Sequence, residues 1–65
     1  MEILIWQARD RKNLSLTELS KLTGMRRRTL NNIENGRYSP KLEQLEKIAK
    51  ALGCRMSDLY ESPYK

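Results

Sequence analysis

Apolar residues recur at helical spacing along most of the chain, and polar residues occupy the positions between them. A repeat of three and four residues is typical of an amphipathic helix with one buried face. The spacing predicts five helices, over about residues 2–12, 17–22, 27–35, 40–52 and 56–59, followed by a short tail at 61–65. No segment alternates apolar and polar residues as a half-buried strand does. The pattern therefore predicts an all-α fold in a single domain, residues 1–65.

The second and third predicted helices form one unit, at about residues 16–35. Gly24 lies between them, where a chain reversal needs a residue that tolerates positive φ. The residues expected to face a common core from the two helices are Leu19, Leu22, Leu30 and Ile33. The outer face of the third helix is formed by Arg28, Asn31, Asn32 and Asn35, with Arg27 on its flank. An apolar back and an Arg/Asn-rich front, on a helix joined to a shorter one by a glycine turn, are typical of a DNA-binding helix-turn-helix.

Local signals predict where several helices begin and end. Ser15 and Glu18 match the S-x-x-E capping box, so the second helix should begin directly after Ser15. Asn13 is suited to end the first helix in the left-handed conformation, and Gly36 and Gly53 should end the third and fourth. The residues predicted to start the fourth helix, as N-cap and first helical residue, are Ser39 and Pro40.

The first and fourth helices each have a predicted buried face. In the first helix, Ile5 and Ala8 lie on one stripe with the aliphatic stem of Lys12. Ile3 and Trp6 lie off that stripe, and either cover the edge of the core or contact a partner. The buried face of the fourth helix is expected to consist of Leu42, Leu45, Ile48, Ala49 and Leu52.

The chain carries a net charge of +5, and most of the excess is concentrated in one segment. Residues 26–41 include five basic residues and one acid. A localised basic patch indicates a polyanionic partner, with nucleic acid first and an anionic membrane surface second, although a solvated face is the alternative. Arg26, Arg27 and Arg28 crowd the positive end of a helix dipole, where each cation costs about 0.3–1 kcal/mol. That placement suits contact with phosphates and base edges better than it suits folding.

Composition argues against several other classes of function. With no histidine and a single cysteine, neither a metal site nor a cofactor is expected. The sequence has neither a glycine-rich phosphate loop nor a carboxylate cluster, so an enzyme is not expected. The sequence contains no recognisable signal peptide and no apolar run of about 20 residues, so a soluble cytoplasmic protein is expected. Cys54 excludes an internal disulfide and is expected to lie in the core, with redox sensing as the alternative.

The order and spacing of these residues resemble the Cro and phage-repressor type of helix-turn-helix protein, the lambda-repressor-like family. The resemblance extends from about Ile5 to Leu59. The pieces that carry it are Ala8-Arg9, Leu14-Ser15, Glu18-Leu19-Ser20, Gly24, Thr29-Leu30, Ile33-Glu34-Asn35-Gly36, Ser39-Pro40 and the run from Leu45 to Gly53. It implies a compact bundle of five helices in a prokaryotic or phage protein, with the third helix in the major groove of double-stranded DNA.

The resemblance also implies roles for single residues. Those matching positions that contact base edges are Arg27, Arg28 and Asn32. Those matching positions on the DNA backbone or beside the bases are Arg26, Thr29, Asn31, Asn35, Arg37, Tyr38 and Lys41. Arg9 and Glu34 match a structural pair in which an arginine of the first helix holds a glutamate at the end of the third.

Three positions depart from the family pattern. Leu16 replaces a frequent glutamine that contacts phosphate, so that anchor is not expected here. Ser20 replaces the usual alanine, which is tolerable if its hydroxyl bonds the backbone of the preceding turn. Arg26 replaces a small hydroxyl residue, which leaves the third helix without an evident cap.

The sequence as a whole predicts a sequence-specific transcriptional regulator, acting as a repressor that occludes a pseudo-palindromic operator as a homodimer. The sequence leaves two candidate dimer surfaces. One is the region of the fourth and fifth helices with Met56, Tyr60 and Tyr64, and the other is at Ile3 and Trp6. The competing hypothesis is an antitoxin or adaptor of the same fold, whose main partner is a toxin or another regulatory protein. A membrane role is not expected, because the third helix needs its Leu30 and Ile33 for the core.

Overall fold

The computed structural model describes residues 1–65 and contains four α-helices, one 3-10 turn and a two-stranded sheet. The elements in chain order are β1 (Glu2–Ile3), α1 (Ile5–Arg11), α2 (Leu16–Thr23), α3 (Arg27–Glu34), α4 (Leu42–Leu52), the 3-10 turn (Met56–Leu59) and β2 (Tyr60–Glu61). The order of the first four helices agrees with the sequence prediction. The prediction of five helices is wrong, because Met56–Leu59 forms only a single 3-10 turn, with the Asp58 N–H donating to the Arg55 carbonyl at 3.0 Å.

The two strands are the part of the fold that the apolar pattern did not predict. They pair antiparallel, with Ile3 opposite Tyr60, and the Leu4 N–H donates to the Leu59 carbonyl at 2.8 Å. A strand of two residues is too short to show alternation, and its partner lies at the far end of the sequence. The first helix consequently begins at Ile5 instead of residue 2.

The core is built from ten buried apolar residues, which come from all four helices and the 3-10 turn. They are Ile5, Ala8, Leu19, Leu30, Ile33, Leu45, Ile48, Ala49, Leu52 and Leu59. Two residues expected in the core are not there, since Leu22 is 60% exposed and Leu42 is 74% exposed. Leu22 lies in the last turn of α2 and Leu42 is the first residue of α4, so each lies at an end of its helix. Lys12 follows the end of α1 and is also exposed.

The predicted capping box is confirmed and fixes the start of α2. The Glu18 N–H donates to the Ser15 hydroxyl at 3.0 Å, and the Ser15 N–H donates to the Glu18 carboxylate at 2.9 Å. The Ser15 N–H, and after it the Ser15 hydroxyl, stabilise the charged carboxylate and hold the pKa of Glu18 below its ordinary value. Asn13 has a φ of 56°, as expected for the residue that reverses the chain after α1.

The start of α4 differs from the prediction. Lys41 is the N-cap and Leu42 the first helical residue, so Ser39 and Pro40 lie before the helix. The Lys41 N–H donates to the side-chain oxygen of Gln44 at 2.8 Å. A glutamine at the third helical position satisfies the N-cap amide in this way, which places the helix start two residues later than the Ser39-Pro40 pair indicated.

The turn between α2 and α3 is held by side chains of α2. The Thr23 hydroxyl donates to the Leu19 carbonyl at 2.8 Å and accepts from the Met25 N–H at 3.2 Å. The Ser20 hydroxyl donates to the Met25 carbonyl, so it is satisfied by the backbone after its own helix and not by that of the preceding turn. Gly24 ends α2 with a φ of 73°. These contacts fix the direction in which α3 leaves α2.

Cys54 is half-buried beside the core and is therefore less enclosed than the sequence predicted. Its partial burial disfavours the thiolate and raises the pKa of the thiol, so the sulfur is a poor nucleophile near neutral pH. The longest helix, α4, has 11 residues, and none of the helices combines the length and apolarity that a membrane crossing requires.

Candidate nucleic-acid interface

Helix α3 has one face fixed in the core and the other free. Leu30 and Ile33 are completely buried, and these two residues anchor the helix through its back. On the front, Arg27, Arg28 and Asn31 are exposed. Thr29 and Asn32 are half-buried at the edges of this front. The residues that could contact a ligand are thus held on a short, rigid element.

The arginines at the start of α3 have no partner within the protein. The chain contains two ion pairs, Arg9 with Glu34 and Lys65 with Glu61, and neither involves the cluster at 26–28. Arg26 is the N-cap of α3, and no side chain caps the helix there. Three exposed guanidinium groups therefore surround a helix end that already carries positive partial charge. An anion such as a phosphate would complement this arrangement.

The C-terminal end of α3 is closed by a Schellman motif. The Gly36 N–H donates to the Ile33 carbonyl at 3.1 Å, and the Arg37 N–H donates to the Asn32 carbonyl at 2.9 Å. Gly36 adopts a φ of 71°, the left-handed conformation that the motif requires. The motif turns the chain back over the last turn of α3, so that Arg37 lies beside Asn32.

Side-chain hydrogen bonds link the polar residues along the front of α3. Arg37 Nη1 donates to Asn32 Oδ1 at 3.1 Å. One turn apart on the helix, Asn35 Nδ2 donates to Asn31 Oδ1 at 3.2 Å. The loop that follows carries Tyr38, which is 39% exposed. The exposed Lys41 ends this loop as the N-cap of α4. The segment from Arg26 to Lys41 is therefore a continuous surface of α3 and the loop after it.

Arg9 and Glu34 are brought together behind this surface. Arg9 Nε and Nη2 donate to the two carboxylate oxygens of Glu34, at 3.0 and 3.2 Å. Arg9 Nη1 donates to the Leu14 carbonyl at 3.0 Å. One guanidinium group thus joins α1, the connector before α2 and the end of α3, with the Glu34 side chain only 7% exposed. This contact fixes the position of the surface formed by α3 and the loop after it relative to the rest of the domain.

Comparison with known proteins agrees with this arrangement. The chain matches the family model described as Helix-turn-helix, over residues 7–59. It belongs to the Cro/C1-type helix-turn-helix family. As a member of this family, the helix-turn-helix protein is a DNA-binding transcriptional regulator.

Relatives of this helix-turn-helix protein occur in archaea and in a phage. An HTH-type transcriptional regulator of Archaeoglobus fulgidus is 33% identical over 60 residues, which cover 92% of this chain and 84% of the relative. The ImmF control region 10 kDa protein of Bacillus phage phi105 is 48% identical over 46 residues, 71% of this chain and 51% of that protein.

Two solved structures share the fold. The restriction-modification controller protein C.AhdI from Aeromonas hydrophila superposes with a TM-score of 0.81 at 28% identity, over 86% of this chain and 85% of that one. The N-terminal DNA binding domain of SinR from Bacillus subtilis also gives a TM-score of 0.81, at 29% identity, over 94% of this chain and 90% of that domain.

Sequence reasoning missed one feature of the helix-turn-helix surface. It is the bond between Arg37 and Asn32, because the family resemblance gives the two side chains separate roles. Gly36 was the available signal, since a Schellman motif places the residue after the glycine beside the third-last helical residue. Leu16, which the sequence predicts to fold back toward the core directly after the Ser15 cap, is half-buried and packs against the core. A leucine at that position adds apolar contact where a glutamine would add a polar group.

Proposed function

We propose that this helix-turn-helix protein is a sequence-specific repressor that inserts α3 into the major groove of a pseudo-palindromic operator. The observation that carries the proposal is the cluster of three exposed, unpaired arginines at the uncapped N-terminus of α3. The apolar back of the same helix is fully buried, so the arginines cannot turn inward. Repression is the simplest outcome because binding alone occludes a promoter and no further group is needed.

The proposed base-reading residues are Arg27, Arg28 and Asn32. Arginine donates two hydrogen bonds to guanine O6 and N7, and asparagine pairs with adenine N6 and N7. All three residues belong to α3, where Arg27 and Arg28 are exposed and Asn32 is half-buried. Each operator half-site should therefore contain at least one guanine and one adenine.

The proposed phosphate and flanking contacts surround the base-reading residues. They are Arg26, Thr29, Asn31, Asn35, Arg37, Tyr38 and Lys41. The set includes three cations and four hydrogen-bonding side chains, which suits a sugar–phosphate backbone. Each cation that neutralises a phosphate adds about one unit to the salt dependence of the logarithm of affinity.

Homodimerisation completes the proposal, since one helix-turn-helix covers little DNA and dimers bind half-sites about 34 Å apart. The two candidate dimer surfaces predicted from the sequence lie next to each other, because Ile3 pairs with Tyr60 in the sheet. Trp6 and Tyr64, which are 49% and 94% exposed, are the large side chains available there. Sedimentation at increasing concentration should give a dimer that Trp6→Ala weakens. A wild-type monomer that also binds DNA one copy per operator would refute the dimer.

A protein partner is the second candidate, as in the antitoxin or adaptor hypothesis. Leu22 is 60% exposed on α2 and lines a cavity of about 440 Å³ with Lys47 and Lys50 of α4. An exposed leucine and two lysines lining one cavity suit an acidic peptide with an apolar anchor. This surface does not include the arginines of α3, so the two roles can be tested separately.

The decisive experiment is selection of bound duplexes from random DNA, followed by titration of the selected and random duplexes at two salt concentrations. Recovery of a pseudo-palindrome bound about 10³-fold or more above random DNA supports the proposal. Binding that is weak, strongly salt-dependent and indifferent to sequence overturns it. The triple variant Arg26→Ala, Arg27→Ala, Arg28→Ala is the control, and its circular dichroism spectrum should match that of the wild type.

A further inference from the structure

We propose that Arg37 is a positioning residue that fixes the carboxamide of Asn32 in one orientation, with the amide nitrogen toward the DNA. This inference rests on the proposed function and specifies how one of its base-reading residues discriminates. It assigns Arg37 a task beyond neutralising a phosphate.

The geometry ties Arg37 to Asn32 at two points. The Arg37 N–H donates to the Asn32 carbonyl at 2.9 Å as part of the Schellman motif. The guanidinium Nη1 then donates to Asn32 Oδ1 at 3.1 Å. The first bond holds the Arg37 backbone beside the last turn of α3. The Arg37 side chain therefore loses less conformational entropy when it bonds Asn32. The side-chain bond is therefore a consequence of how α3 ends.

The chemistry of the pair selects one orientation of the amide. A guanidinium group has donors and no acceptor, so it can face only the oxygen of a carboxamide and never its NH₂ group. With Oδ1 held by Arg37, the Nδ2 group is left as the outward donor, and Oδ1 keeps one lone pair. An unrestrained asparagine would present its oxygen or its nitrogen with similar ease.

The neighbouring pair of asparagines lacks this selectivity and provides a comparison within the same helix. Asn35 Nδ2 donates to Asn31 Oδ1. If both carboxamides turned over, Asn31 would donate to Asn35 and the bond would be preserved. Only the contact with Arg37 distinguishes the two ends of an amide.

A fixed outward donor has a defined effect on base preference. Adenine offers the N7 acceptor in the major groove, whereas cytosine offers only its N4 donor. Asn32 held by Arg37 should therefore favour adenine and reject cytosine at its position. Without Arg37 the amide can turn its oxygen toward cytosine, and the discrimination should fall.

The test measures affinity for the selected operator and for its adenine-to-cytosine variant at the position that Asn32→Ala identifies. Wild type should prefer adenine by about ten-fold or more, and Arg37→Ala should reduce this ratio to about three-fold or less. Lys41→Ala is the matched control, because it removes one exposed cation from the same surface. It should weaken both duplexes equally and leave the ratio unchanged. Arg37→Lys retains a donor without an acceptor, so it should recover part of the ratio.

A double-variant cycle separates positioning from charge. In the Asn32→Ala background, adding Arg37→Ala should leave the adenine-to-cytosine ratio unaltered, because no amide remains to be oriented. If Arg37→Ala weakens both duplexes equally and keeps the full wild-type ratio, the inference is wrong and Arg37 acts as a simple cation. If wild type itself shows no sequence preference, the proposed function fails instead. Thermal unfolding of each variant checks that the domain is folded, and the backbone bond from residue 37 is retained in Arg37→Ala.

Discussion

Arg9 and Glu34, on α1 and at the end of α3, form a two-point contact between a guanidinium group and a carboxylate. Their side chains are 21% and 7% exposed, so the pair is screened less than a surface ion pair. The third donor of Arg9 holds the Leu14 carbonyl before α2. The C-terminal end of α3 is thus joined to α1, a helix that does not belong to the helix-turn-helix unit.

Replacing Arg9 by Ala should lower the free energy of unfolding by about 2–4 kcal/mol, because Glu34 would be left as an enclosed charge without a partner. Urea denaturation followed by circular dichroism measures this. Glu61→Gln is the control, since it breaks the exposed pair with Lys65 and should cost less than about 1 kcal/mol. Equal losses in the two variants would show that the contact to Glu34 contributes no special stability.

Glu18, the carboxylate of the capping box, should account for part of the stability that the fold loses at low pH. The pKa of Glu18 is lowered in the folded protein, chiefly by the N–H of Ser15 and then by its hydroxyl. A carboxylate with a depressed folded pKa stabilises the protein above its unfolded pKa, and the stabilisation is lost as pH falls through the folded value. Glu18→Gln should therefore lose less stability than wild type between about pH 5 and pH 3. If the melting temperatures of wild type and Glu18→Gln fall equally as the pH is lowered, this assignment is wrong.

Gly36 should be sensitive to substitution for conformational reasons alone. Its φ is 71°, and a Cβ added there would meet no atom within 4 Å. Gly36→Ala should destabilise the protein by about 1–2 kcal/mol, the cost of the left-handed conformation for an ordinary residue. Gly36→Asn should cost less, because asparagine adopts this conformation more readily. Chemical denaturation of the two variants gives the comparison, and an equal cost would contradict the conformational explanation.

Arg27→Ala and Arg28→Ala should separate base reading from charge. Replacing the arginine that reads a guanine should cost about 1–3 kcal/mol of binding free energy on the selected operator. It should also relax the preference at one base pair. Lys41→Ala should instead reduce the salt slope by about one unit and weaken all sequences alike. Titration of the operator and its single-base variants measures both effects. If neither arginine variant alters the preference at any base pair, the base-reading roles are wrong.

The sequence predicted those parts of the structure that depend on neighbours within a turn or two. The capping box from Ser15 to Glu18 spans only four residues, and the buried faces at Leu19, Leu30 and Ile33 follow from helical spacing. Helical spacing indicates which face of a helix points to the core, but not where the neighbouring helices that cover it end. Leu22 was therefore expected in the core and is instead exposed to solvent.

Contacts between distant or exposed groups were not predictable in the same way. The pairing of Ile3 with Tyr60 joins two strands that are each too short to leave a pattern. The bond from Arg37 to Asn32 depends on the direction that the chain takes after Gly36, which sequence spacing does not describe. The resemblance to a known family supplied the candidate residues on α3, but not the contacts that they make with one another.

The short sheet also has a consequence for the order of folding. Its two strands are separated by nearly the whole sequence, so their pairing closes a long loop and loses more chain entropy than the closing of a short one. The α2–α3 hairpin closes a loop of only a few residues and should form earlier. We therefore expect the ends of the chain to join a helical nucleus late. Variants at Ile3 should then accelerate unfolding while leaving the refolding rate almost unchanged.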